Sequence, residues 1–178
     1  MRKQQSQFRQ QSRQAALCGL LAALSVVVLT LGSILPLATF ACPMLAMVCL
    51  LPVLVSFGAG PALLVYAAVS VLAVLLCADK ELACFYVFLG WYPVLRPRLA
   101  GLPRVPRIAV KCGLFSLSVS AMYALLVLLF RLEAVMAEFA ESSSWMLILL
   151  LALLNATLLL FDRALETLTA LLQRKRRR

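Results

Sequence analysis

The chain has 178 residues, of which 64% are hydrophobic and 13% charged, and its formal net charge is +10. A soluble domain of this size is nearer half apolar and one quarter charged, so the polar surface needed to cover a water-facing core is missing. A disordered chain, a disulfide scaffold and a soluble catalyst are excluded on the same ground.

Position says more than the total. From Gln14 to Ala78 there is not one Asp, Glu, Lys or Arg. Uncharged apolar stretches of about 18 residues or more are read as membrane-spanning helices. A basic stub over 1–14 leads into the first predicted span, Ala15 to Leu35, closed by Pro36. Its apolar run is too long for the core of a secretory signal, and apolar sequence resumes at once, so it is read as a retained span. The second runs from Leu37 to Phe57 with Pro43 and Pro52 inside it, which bilayer helices tolerate. Gly58 to Pro61 reads as a tight turn, and Ala62 to Ala78 is the third span. Asp79-Lys80-Glu81 then breaks the run.

Leu82 to Leu95 is apolar for only 14 residues, a length that fits either a spanning or a re-entrant segment. A basic, proline-rich loop follows over Arg96 to Arg107, and Cys112 to Phe130 is the next span. Glu133, Glu138, Glu141 and three serines make an acidic loop. The last span is Trp145 to Phe161, its helix running on towards Leu172, and the tail over 173–178 is almost wholly basic.

Lys and Arg collect on the cytoplasmic side of a membrane. With Leu82 to Leu95 counted as a span, that side holds Arg2, Lys3, Arg9 and Arg13, then Arg96, Arg98, Arg104, Arg107 and Lys111, then Arg163 and the tail. Only Lys80 and Arg131 of the 17 basic residues fall opposite. The expectation is an all-α, multi-pass bundle of six transmembrane helices over 15–172 in a bacterial plasma membrane, both termini cytoplasmic. The positive charge suits anionic lipid headgroups and is not read as nucleic-acid binding.

Histidine is absent, and none of the six cysteines (18, 42, 49, 77, 84 and 112) forms a C-x-x-C pair. No metal site, cofactor, catalytic residue or enzymatic activity is expected. No P-loop is present, nor paired carboxylates at mid-membrane depth, so the chain carries no visible energy source of its own.

Several residues admit two readings. Lys80 and Glu81 make either a solvated turn or the polar rim of an outward-facing cavity, with Tyr86 deeper inside it. Trp145 is an interfacial anchor or a ring-stacking surface. Asn155, about 15 Å into the last span, is an interhelical bond or a ligand contact. Trp91 and Tyr92 suit an aromatic belt. Asp162 and Glu166, four apart, share a helix face, with Arg163 and the basic loop as partners. Ala15, Gly19 and Ala23 form a small-x-x-x-small row, which serves either packing within the bundle or close approach of another subunit.

The Ala15-Ala16-Leu17-Cys18-Gly19-Leu20-Leu21-Ala22-Ala23-Leu24-Ser25 helix, the basic stub and six short spans together resemble the substrate-binding S component of energy-coupling factor (ECF) transporters. The resemblance in layout covers nearly the whole chain. It implies a binding site near the outer face for a small organic solute such as a vitamin or its precursor; the metal-ion branch uses histidine. It implies docking through Ala15, Gly19 and Ala23 onto a shared transmembrane coupling subunit, with partner ATPase subunits supplying energy. The rival expectation is a non-transporting membrane protein acting as an assembly or scaffold subunit.

Overall fold

A computed structural model describes residues 2–34, 39–99, 101, 103–126, 128 and 144–177. The described residues form α1 (Arg2–Gly32), α2 (Ala41–Phe57), α3 (Ala59–Leu76), α4 (Lys80–Leu89), α5 (Tyr92–Leu99), α6 (Arg104–Leu125) and α7 (Ser144–Arg177), with no strand among them. The acidic loop at 133–143, the junction of the first two predicted spans at 35–38 and the end of the span predicted to reach Phe130 lie outside the described residues.

Among the described residues, three stretches are long and apolar enough to cross a membrane: Gln11–Gly32, Ala59–Leu76 and Pro106–Leu125. The chain is an all-helical membrane protein. The apolar helix α2 is shorter, at 17 residues. α1 has 31 residues and α7 has 34, about 46 and 51 Å at 1.5 Å per residue, so both outrun a hydrocarbon core of about 30 Å. The basic stub is thus a continuation of α1 and not a separate element. The turn predicted over Gly58 to Pro61 shrinks to Gly58 alone. Its φ of 88° is a value that L side chains rarely adopt, and it lets α3 begin at Ala59 directly after α2.

The core is built around the shortest of the candidate spans. Leu82, Ala83, Cys84, Phe85, Tyr86 and Leu89 are all buried, so α4 is enclosed nearly all round by α1, α2, α3 and α6. A helix apolar on every face belongs inside. Its ten residues need not reach across lipid, because protein and not lipid surrounds it.

The segment read as one span breaks at Gly90-Trp91 and resumes as α5. Gly90 sits where a Cβ would meet the Tyr86 carbonyl oxygen at 2.5 Å and Tyr66 Cε2 at 2.9 Å. The orphan carbonyls at the end of α4 find partners nearby. Gly90 N–H donates to the Tyr86 carbonyl at 2.7 Å and the Trp91 indole to the Phe88 carbonyl at 2.6 Å, while the Tyr66 hydroxyl donates to the Val87 carbonyl. A break inside an apolar core needs this closure, since each unmet backbone group there is costly.

Candidate functional site

The two ends of the bundle each gather polar side chains. At the first, Asp79 caps α4: its Oδ1 accepts from the backbone N–H of Glu81 at 2.9 Å and of Leu82 at 3.4 Å. Lys80 turns back, and its ammonium donates to the carbonyls of Val74 (3.0 Å) and Cys77 (2.9 Å) at the C-terminal end of α3. A cation there satisfies orphan carbonyls and suits the helix dipole. Glu81 accepts from the Tyr123 hydroxyl of α6 at 2.7 Å. Each of the three charges therefore secures one element: Asp79 the start of α4, Lys80 the end of α3, Glu81 the join to α6.

Tyr86 lies deeper, fully buried in α4, with its ring 6.0 Å from that of Tyr66. Its hydroxyl has no hydrogen-bond partner among the described residues. Asn155 donates from Nδ2 to Ser116 Oγ at 3.0 Å, joining α7 to α6, and also to the Leu151 carbonyl at 3.0 Å. Its Oδ1 is buried without a partner among the described residues. Trp145, at the start of α7, is 74% exposed. Lys80, Glu81 and Tyr86 all stand on α4 but turn to different partners, whereas Asn155 and Trp145 stand on α7. If the Asn155 amide is chiefly an interhelical tie, Asn155→Ala and Ser116→Ala should each cost about 1 kcal/mol. The double variant should cost little more than either alone, as thermal melts in detergent would read.

The opposite end holds the densest polar cluster in the described structure. Asp162, 5% exposed, accepts at Oδ1 from the Tyr92 hydroxyl (2.5 Å) and from Arg96 Nε (2.9 Å). Its Oδ2 pairs with Lys111, itself 7% exposed. Arg96 also reaches Glu166 at 3.4 Å. The Tyr92 ring packs edge-on against Phe115, centroids 4.8 Å apart. Asp162 lies one residue beyond the apolar run of α7. Burial pushes its carboxyl up, but hydrogen bonds from Lys111, Tyr92 and Arg96, with the Lys111 charge, outweigh burial and hold it below its ordinary value.

This cluster revises two expectations. Tyr92 is buried and bonded to a carboxylate, not an interfacial belt residue, while Trp91 turns its indole back onto α4. Asp162 is met by α5 and α6, as the basic loop suggested, and Arg163 is exposed. A signal for it was present in the sequence: Arg96, Lys111 and Asp162 each lie one residue outside an apolar run, at the same end.

On α1 the small-residue row faces outward. Ser25 and Leu29 are buried against the bundle, whereas Ala15, Gly19 and Ala23 are exposed. A Cβ built on Gly19 meets nothing within 4 Å. Among the described residues, then, no neighbour in the bundle closes on Gly19. A shallow, mostly apolar notch of about 340 Å³ opens beside its first residue, between Gln11, Gln14, Ala15 and Cys18 of α1 and Pro61, Leu64 and Val65 of α3. The tight glycine of α1 is Gly32, where a Cβ would stand 2.5 Å from Cys42 Cβ. Comparison with protein-family models, with curated proteins and with solved structures finds no match.

Proposed function

We propose that this chain is the membrane-embedded substrate-binding subunit of an ECF-type importer for a small organic solute, energised by partner ATPases through a shared transmembrane subunit. The outward-facing Ala15, Gly19 and Ala23 carry the proposal. With Gly19 open, nothing among the described residues uses the close approach that these residues allow. Another helix of similar surface would pack there. The buried Tyr86 hydroxyl and Asn155 Oδ1, both without a partner among the described residues, support a polar solute, since such atoms are costly unless a bond is supplied.

In this reading the chain crosses a bacterial plasma membrane six times, with the Asp162 end and both termini cytoplasmic and anionic lipids against the basic residues there. An engineered cysteine at 101 should then react with an impermeant reagent only after cells are opened. Labelling in intact cells would reverse the orientation and remove the importer reading.

Purification of the tagged full-length chain from its native membrane tests the function itself. The expected result is co-purified ATPase subunits and a bound organic molecule seen by mass spectrometry. A chain that brings down neither is a scaffold or assembly subunit. The internal bonds of Lys80 and Glu81 favour that second reading, because they already give both charges a structural task.

A further inference from the structure

α5 is the element least able to hold itself. It has eight residues, too few for a stable isolated helix, and neither Pro93 nor Pro97 has an N–H to donate. Nor does α4 support it. The carbonyls of Tyr86, Val87 and Phe88 are closed by Gly90, Tyr66 and Trp91, so α4 ends complete in itself. α5 restarts from the Trp91 carbonyl, which accepts from Val94 N–H at 3.1 Å and Leu95 N–H at 3.3 Å. The two limbs therefore join at Gly90-Trp91, and a rotation just after the Trp91 Cα leaves the bonds that close α4 in place.

Beside the packing of Tyr92, Pro93, Val94 and Leu99 against the core, the polar hold on α5 centres on one atom. Tyr92 Oη and Arg96 Nε, one turn apart, both donate to Asp162 Oδ1. The other oxygen belongs to Lys111, so the carboxylate stays charged and paired even when α5 lets go. A buried ion network adds little net stability over apolar packing, because desolvation offsets its attraction. It does give a contact that is either made or broken. Short hinges at element ends, with a discrete contact across the gap, are how packed helices take two arrangements.

We propose that α5 is a flap at the Asp162 end of the bundle, pivoting at Gly90-Trp91 and latched shut by the carboxylate of Asp162. The proposal does not depend on the importer reading.

Hydrogen exchange read by mass spectrometry on the full-length protein in detergent tests it. Tyr92→Phe/Arg96→Gln removes the grip of α5 and leaves the Lys111–Asp162 pair in place. Exchange over 92–99 should rise about ten-fold or more, as expected for local opening, while 80–89 and 112–125 stay at wild-type rates. Tyr92→Phe alone keeps the ring on Phe115 and should show a smaller rise in the same segment. Unchanged exchange over 92–99 in both variants would mean that packing alone holds α5 and would overturn the latch. So would an equal rise in 80–89 and 112–125, which would make the network a general brace.

Discussion

Asp162→Asn should lower the free energy of unfolding by about 3–5 kcal/mol, the usual result of removing one partner from a buried ion pair. The loss arises at Lys111, which is 7% exposed and would be left charged in the interior facing a neutral amide. Arg96 suffers less, since Glu166 remains within reach. Lys111→Met/Asp162→Leu should therefore be more stable than Asp162→Asn, although it carries one more substitution. A melt in detergent on the three proteins reads this order. If the double variant is the weaker, the cluster owes its effect to shape and not to charge.

The pH dependence has a definite sign. The Asp162 carboxyl is depressed in the folded protein, its ordinary value being 3.8. A depressed carboxylate contributes stability that is present above the unfolded value and is lost as pH falls through the folded one. The difference in melting temperature between wild type and Asp162→Asn should stay constant from about pH 8 to 5 and shrink only below about pH 4. A difference that closes between pH 7 and 5 would place the titration of Asp162 there and contradict the bonding described.

Charge and apolar length made α1, α3 and α6 legible in the sequence, because each contains one long uncharged run. The broken helix was not, since Gly90-Trp91 sits in an apolar stretch and the bonds that close it come from Tyr66, 24 residues earlier, and from the Trp91 side chain. Spacing within a helix set Asp162 beside Glu166 and Arg163, and only charge named the basic loop as a partner. Its real partners are 70, 66 and 51 residues away, where local periodicity is silent. The glycines show the same limit. Gly19, between two alanines four away on either side, looks like a packing glycine, yet Gly32 and Gly90 are the ones that neighbours press against. Only the tertiary arrangement separates an open glycine from a crowded one.

That separation gives the test of the docking face its control. Gly32→Ala should cost about 1–3 kcal/mol, as overpacking does, because the new methyl would stand 2.5 Å from Cys42 Cβ and 2.9 Å from Leu82 Cδ1. Gly19→Leu adds a larger group and should leave the melting temperature of the isolated chain at the wild-type value, since its Cβ position is empty to 4 Å. If a partner helix packs on Ala15, Gly19 and Ala23, the same leucine should hold that helix away. Co-purification with the coupling and ATPase subunits should then be lost, with solute uptake, while binding of solute by the purified chain persists. Gly32→Ala should do the reverse, lowering yield and melting temperature but keeping the subunit ratio in whatever folds. A Gly19→Leu chain that recovers its partners at wild-type yield would exclude this face as the dock. A Gly19→Leu chain that melts as early as Gly32→Ala would return the row to packing within the bundle.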